Sequence, residues 1–480
     1  MDNTDITYTK YKYITTTLPY LNSTPHIGHC FEFVLADVIA EFYRLSVGEL
    51  EQTNVIFNVG VDEHGQKVYQ KAIDEGYTNT IDYCNVLNDK WVAFCDKFQI
   101  NYDNFYRTSS EAHKRDVLRF YDEIKQYVYE KEYTGHYCVG CESFITEKEI
   151  VDGKCPIHNT DLILTKEVNK FFNLTKFKLD IKDILVDKSK SNELKNIIAD
   201  DFDLSITRQN VKWGIETEDG SVFYVWFEAL LNYIFAIKYY EDKEHFNKYW
   251  KNSLIICGKD NLKFQAYILQ ALLKSNNIPQ TKEVLVHGNI LDEHGAKMSK
   301  TTGNVIDPVE QYNKYGLDPV RYYLAFGLNT FSDSKYSEKD LIHKWNSEVV
   351  GGLGNLISRL LHLVDIRNVE VDSEKLSADA LRKIMTNVNN ITINFEKYNI
   401  KGVGEILTDI VNDLNRRISL ERPFDASCEN YAEIINELYY GLETVITFYS
   451  LVLKNHAHVL HGALENKKKI ILFDKIEEIK

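Results

Sequence analysis

Positive charge is in short supply in this chain: 56 Lys and Arg stand against 71 Asp and Glu, a formal net charge of −15 over 480 residues. That deficit excludes a protein that coats nucleic acid indiscriminately. It leaves room for a selective RNA binder, because a local basic face can hold phosphates while the remaining surface is acidic. Proline is scarce as well, with only seven, and there is no internal repeat or low-complexity tract. Scarce Pro and Arg beside abundant Lys, Asn, Ile and Tyr read as AT-rich coding bias rather than as function. A long apolar run is also missing. The most apolar stretch, residues 224–237, is broken by Glu228 and falls short of the roughly 20 residues that a bilayer crossing needs. Residues 1–12 are polar and charged, unlike a secretory leader. A cytosolic enzyme of two to four domains is the expectation.

Disulfide scaffolding is excluded by how the eight cysteines fall. Cys30, Cys84, Cys95, Cys257 and Cys428 are scattered, which suits core packing. The remaining three cluster as Cys138-x2-Cys141-x13-Cys155-x2-His158. Two short-arm pairs at this spacing can each turn around one ion. Three thiolates and an imidazole close a tetrahedral structural Zn2+ site with no open position for water.

Residues 13–18 are rich in β-branched side chains and stop at Pro19, which predicts a strand. After a loop, Ile27, Phe31, Val34, Leu35, Val38, Ile39 and Phe42 recur at helical spacing, and residues 55–61 form an apolar strand. Strand–loop–helix–strand opens a nucleotide-binding α/β domain. The same texture returns at residues 253–257 and 283–286, so the loop-rich stretch around 135–200 reads as an insertion. From about residue 340 the pattern is helical, led by the stripe Leu341, Ile342, Trp345, Val349, Leu353, Leu356, Ile357, Leu360 and Leu361.

Two short motifs stand where chemistry would sit. Pro25-His26-Ile27-Gly28-His29 lies at a helix start, where unpaired N–H groups and the helix dipole favour a polyphosphate. Gly28 lacks a side chain and would let a flat base or ribose come close. Lys297-Met298-Ser299-Lys300-Thr301, between Gly295 and Gly303, offers two ammonium groups on a loop that could close over a leaving pyrophosphate. Taken singly, the first is also what surface histidines look like, and the second reads as a solvated turn. Their coincidence in one chain points to function.

These motifs resemble the HIGH and KMSKS signatures of the class I aminoacyl-tRNA synthetases. The resemblance extends along nearly the whole chain through Thr17-Leu18-Pro19-Tyr20, Gly60-Val61-Asp62-Glu63-His64-Gly65, residues 203–208 and 211–215, residues 224–233, and Leu353-Gly354-Asn355-Leu356-Ile357-Ser358-Arg359. The stretch 224–233 is similar to the methionine-specific branch. The fold implied is a Rossmann-type parallel-sheet catalytic domain split by a zinc-knuckle insertion and followed by a helical anticodon-binding bundle. Its expected parts are 1–125 and 203–295 for the two halves of the catalytic domain and 126–202 for the insertion. Residues 296–340 would form the lysine loop and stem-contact region, and 341–480 the bundle.

The activity implied is ATP-dependent ligation of L-methionine to tRNA(Met), with Mg2+ accompanying ATP. By the same resemblance, His26, His29, Lys297 and Lys300 handle the triphosphate. Gly28, Glu32, Gly258 and Asp260 contact the nucleoside, with Arg208 a further ATP contact. Asp62 holds the methionine ammonium, while Leu18, Tyr20, Trp226, Ala229 and Tyr233 wrap the thioether. Cys138, Cys141, Cys155 and His158 hold the zinc. Asn355, Arg359 and Phe424 read anticodon bases. Departures from the family pattern are Asn261 for an isoleucine, Gln265 for a histidine, Thr301 for a serine, and Phe424 for a tryptophan. A chain ending soon after residues 471–474, without an appended dimerising domain, predicts a monomer. Two alternatives stay open: a relative specific for leucine, isoleucine, valine or cysteine, and a non-catalytic tRNA-binding relative.

Overall fold

The computed structural model describes residues 10–45, 54–139, 143–145, 147, 150–156, 159–177, 179, 184–199, 202–298, 303–467 and 472–477. The chain divides into two compact units. The first comprises Met1–Pro25, Ser46–Cys95 and Asn101–Val286; the second comprises His26–Leu45, Asp96–Ile100 and His287–Lys480.

The first unit is built on a five-stranded sheet. Its strands are β1 (Tyr11–Thr16), β2 (Asn54–Val61), β3 (Asn104–Arg107), β4 (Ser253–Gly258) and β5 (Glu283–His287), in the order β5-β4-β1-β2-β3. Strand β1 is central and runs parallel to both neighbours, with Tyr13 opposite Ser253 and Tyr11 opposite Asn54. Burial of every β1 residue after Tyr11 accounts for its continuous run of β-branched and aromatic side chains. A polar ladder crosses the buried strands: Asn104 donates to Asn58 Oδ1 at 2.7 Å and Asn58 to Thr15 Oγ1 at 3.0 Å. Gly60 is needed where β2 meets β3, because a Cβ there would lie 2.1 Å from the carbonyl oxygen of Tyr106.

Between β3 and β4 the insertion forms a four-stranded sheet around a long antiparallel pair, Val128–Cys138 with Ile163–Phe172. A large apolar cluster unites this insertion's base with the main sheet, running from Tyr13 through Phe172, Phe227 and Trp250 to Val286.

The second unit contains α1 (Ile27–Arg44) and the C-terminal helices α2 (Asn355–Ile366), α3 (Ala378–Glu396), α4 (Ile400–Glu421) and α5 (Tyr431–Tyr449). Compactness thus groups α1 with the helical end of the chain, across the five segments drawn from sequence. The physical ties are explicit: Phe42 of α1 stacks on Phe395 of α3 at 4.2 Å, and Asp37 of α1 pairs with buried Arg321. The predicted apolar stripe is helical over Glu338–Ile366, but its middle, Trp345–Gly354, is a π-helix. By length and composition this 29-residue stretch could cross a membrane; half of its apolar window is buried inside the unit, the condition of a bundle's core helix.

Candidate active site

In the first unit, expected methionine and nucleoside contacts gather just past the carboxyl ends of adjacent parallel strands. Leu18 and Tyr20 follow β1, Asp62 follows β2, and Gly258 and Asp260 stand at and just beyond the end of β4. This end is where parallel α/β sheets bind ligands, since the helix-bound connections leave a crevice there. Backbone bonds clamp two of these segments together: Asp62 N–H donates to Pro19 O at 2.9 Å and Leu21 N–H to Asp62 O at 2.8 Å. Tyr20 and Asp62 therefore sit side by side.

Asp62 is 8% exposed, and its pKa is raised well above the ordinary carboxylate range by burial first and by the negative charge of Glu228 second. A carboxylate so placed gains most from an incoming cation. Glu228 itself is fully buried. Its two oxygens are held by two buried histidines, His64 Nδ1 at 2.9 Å and His113 Nε2 at 2.6 Å. Burial pushes this carboxyl up, but the histidines outweigh it and hold its pKa below the usual value. His64 lies two residues after Asp62 and Glu228 two after Trp226, so this clamp ties two expected substrate segments together. Neither His64, Glu228 nor His113 was expected as a site residue; the available signal was Glu228 itself, a charge inside the most apolar stretch.

Trp226 stacks on Phe264 at 3.6 Å and 13°. Its indole Nε1 and the Oε1 of neighbouring Gln265 are buried without hydrogen-bond partners. Leaving such atoms unsatisfied costs about 1–3 kcal/mol each, a cost often met at ligand sites. Gln265 lies on a π-helical turn, Phe264–Ile268, a distortion frequent at functional sites. Ala229 is half-buried. Tyr233 is 1% exposed within the apolar cluster.

Arg208 requires a correction. It is 2% exposed, donates to both oxygens of Glu167 at 2.9 and 3.3 Å, and lies 4.1 Å over the ring of Tyr137. This is a buried structural tie at the base of the insertion, where Asn169 and Asn210 also donate to Glu167 at 3.0 and 2.9 Å and the guanidinium is engaged by a carboxylate rather than held open as a nucleotide contact.

In the second unit, the helix start at the histidine motif is organised differently from the expectation. His26 caps α1 with its own ring, Nδ1 accepting from Gly28 N–H at 3.1 Å and His29 N–H at 3.3 Å. Ile27 N–H donates to Ile306 O and Cys30 N–H to His26 O. The first-turn amides are thus engaged within the protein. His29 Nδ1 in turn accepts from His26 N–H at 3.3 Å, and the rings stack at 3.6 Å. With both Nδ1 atoms accepting, each neutral ring carries its proton on Nε2 as a donor. The space at Gly28 serves the His26 ring, which a Cβ would approach to 2.9 Å.

Glu32, one turn on, is 6% exposed and meets His287 Nε2 at 2.9 Å. Lys297 is exposed and bridges to Leu291 at the stem of the lysine loop. Asp292 organises this stem: it accepts from His294 and Ala296 N–H groups and from Asn304 Nδ2 at 2.8 Å, which holds its pKa below the usual range. Lys300 lies outside the described residues. Asn355 and Arg359 share one face of α2, exposed and half-buried respectively, and Phe424 is 44% exposed on the turn after α4.

Cys138 and Cys155 are buried together in a small cluster with Ile145. Cys141 and His158 lie outside the described residues. Among the described residues no group of three or more metal-ligating side chains occurs.

The family model for tRNA synthetases class I (M) matches residues 12–163 and 157–361. The methionine–tRNA ligase of Fusobacterium nucleatum is 32% identical over 97% of this chain and 76% of that protein. This chain belongs to the methionine branch of the class I tRNA synthetases. A further member of that branch, from Rickettsia bellii, is 33% identical over 90% of this chain and 88% of its own length. Among solved structures, methionyl-tRNA synthetase from Mycobacterium tuberculosis in complex with methionyl-adenylate superposes with a TM-score of 0.85 at 28% identity, covering 94% of this chain and 93% of that one.

Proposed function

We propose that this chain ligates L-methionine to tRNA(Met) in two steps through methionyl-adenylate, using ATP with Mg2+. In the first step a methionine carboxylate oxygen bonds to the α-phosphorus of ATP as the bond to the bridging oxygen breaks and pyrophosphate leaves. In the second, a terminal ribose hydroxyl of tRNA attacks the adenylate's carbonyl and AMP leaves. The observation that carries this reading is the match over 94% of the chain to a structure bound to methionyl-adenylate. Relatives matched over at least 90% of the chain bear the same activity in their names.

Within this reading Asp62 receives the α-ammonium, and Leu18, Tyr20, Trp226, Ala229, Tyr233 and Gln265 shape the thioether cavity. Aromatic faces suit a polarizable sulfur. Glu32, Gly28, Gly258 and Asp260 contact the nucleoside. His26 and His29 donate from Nε2 to the triphosphate, and Lys297 with Lys300 neutralises charge growing on the leaving pyrophosphate. Asn355, Arg359 and Phe424 meet anticodon bases, which single-stranded loops expose. One zinc held by Cys138, Cys141, Cys155 and His158 is structural; the burial of two of those thiols in one cluster fits such a group. A cytosolic location completes the proposal.

Amino-acid-dependent exchange of pyrophosphate into ATP tests it. Methionine alone should support exchange. Stronger exchange with leucine, isoleucine, valine or cysteine, or none with any amino acid, would replace this reading with one of its alternatives.

A further inference from the structure

The two expected anticodon readers are held by a third residue to which no role has been attached. Asn355 and Arg359 lie one turn apart on α2, and both point a donor at the same atom, Oδ1 of Asn415 on α4. Asn355 Nδ2 reaches it at 3.0 Å and Arg359 Nη1 at 3.4 Å. The other end of the Asn415 amide is equally committed. Its Nδ2 donates to Gly352 O at 3.1 Å and to Val411 O at 3.2 Å. A primary amide has two N–H donors and two acceptor positions, and all four are used here. The donors meet only carbonyl oxygens and the acceptor meets only N–H groups, so the amide's orientation is determined by its neighbours.

The carbonyl that sets this orientation comes from the distorted stretch of helix. Gly352 belongs to the π-helix Trp345–Gly354, and its oxygen also takes the backbone N–H of Asn355. One carbonyl therefore holds the main chain of one reader and, through Asn415, the side chains of both. Ser419, the next turn of α4, finishes the ledge: Arg359 Nη2 donates to Ser419 Oγ at 3.0 Å, and that hydroxyl donates to Asn415 O at 3.2 Å. Long polar side chains on an exposed helix face otherwise sample several rotamers, and freezing each costs about 0.5–1.5 kcal/mol when RNA arrives. Readers already frozen avoid that cost.

We infer that Asn415, assisted by Ser419, is a positioning residue for RNA recognition, pre-organising Asn355 and Arg359 for an unpaired base. The inference rests on the reading of those two residues as anticodon contacts. Asn415→Ala should lower kcat/KM for tRNA by about tenfold, equivalent to roughly 1.4 kcal/mol. Methionine-dependent pyrophosphate exchange should stay within about twofold. Ser419→Ala, which removes one exposed partner of Arg359, should give a smaller loss of the same kind and guards against a folding defect in Asn415→Ala.

A double-variant background separates positioning from a general structural role. In Asn355→Ala/Arg359→Ala protein, adding Asn415→Ala should cost nothing further for tRNA, because the groups it positions are gone. An undiminished additional loss would overturn the proposal, as would normal charging by Asn415→Ala and Ser419→Ala while the reader variant is impaired. Normal charging by the reader variant itself would instead remove the anticodon reading on which the inference stands.

Discussion

Arg321 donates to Asp37 at 2.6 Å with both side chains fully buried. Its remaining donors reach the carbonyls of Phe98, Val452 and Leu451, while Lys454 approaches Asp37 and Glu41. The guanidinium thus fastens α1, which begins with the two histidines, to the turn at 451–453. Breaking such a buried pair typically costs about 3–5 kcal/mol, and the loss of Arg321 falls at the lower end because Lys454 still faces Asp37 at 3.5 Å. Arg321→Ala and Asp37→Ala should each lower stability by that order in urea unfolding. Their double variant should lose less than the sum, because one uncompensated charge is removed along with its partner.

The ring of His26 occupies the space that any side chain at position 28 would need. Gly28→Ala should push the imidazole off its two amide donors and misdirect its Nε2. Pyrophosphate exchange should fall by roughly 10- to 100-fold, on the order of 1.4–2.7 kcal/mol in the barrier. Thermal stability should fall only by the value of a helix cap, about 1 kcal/mol. Exchange rates unchanged by this substitution would show that the stacked arrangement is irrelevant to phosphate handling.

How far the sequence reached depends on whether a residue's role lies in its neighbours along the chain or across space. Strand β1 and helix α1 were legible because period and Pro19 mark them locally, whereas Tyr20, Asp62 and Asp260 came from the family resemblance and the fold sets them just past strand ends. The helix-start amides were misjudged, since spacing shows that a helix begins but not that His26 folds its ring back to cap it. The family resemblance implied an ATP contact for Arg208, and its tie to Glu167, 41 residues away, leaves no local mark in the sequence. Glu228 was visible only as an anomaly; its explanation needed His64 and His113, brought together by the fold.

Asp62 also predicts a pH dependence. Its pKa is raised by burial and by Glu228, with Glu63 adding to the rise and hydrogen bonds from His64 N–H and Thr108 working against it. The proposed hold on the methionine ammonium requires the carboxylate, so under that proposal methionine affinity should improve as pH rises through this raised value, above the ordinary carboxylate range. The sign for stability is opposite in the methionine-free protein. A carboxyl whose folded pKa is raised contributes stability that is full below its unfolded pKa and lost as pH rises through the folded one. The thermal shift produced by methionine should therefore grow with pH across that window. Glu228→Gln should move the methionine profile to lower pH by removing the nearby negative charge. A profile unmoved by that change would place the titration elsewhere.

Buried Gln265 Oε1 and Trp226 Nε1 make a ligand-linked stability prediction. Gln265→Leu removes an unsatisfied acceptor while keeping similar bulk, so the methionine-free protein should gain about 1 kcal/mol. Methionine KM should rise if that oxygen is completed by the bound substrate. A gain in stability with unchanged KM would assign the unsatisfied oxygen to the scaffold rather than to methionine.

The zinc proposal is tested by separating folding from chemistry. Four ligands from two short-arm pairs leave no position for water, so the ion would act by holding the insertion together and not as a Lewis acid. Elemental analysis should find one zinc per chain, lost in Cys138→Ser and Cys155→Ser. Both cysteines are buried beside Ile145, so loss of the ion would leave the small cluster without the roughly 10 kcal/mol that such a site supplies. Limited proteolysis should then cut within the insertion, while the sheet formed by β1 to β5 resists. Methionine-dependent exchange measured at low temperature should persist in part, since Asp62, His26 and His29 lie outside the insertion. Full-length protein purified without bound metal, with an insertion as protease-resistant as the rest, would sink the assignment.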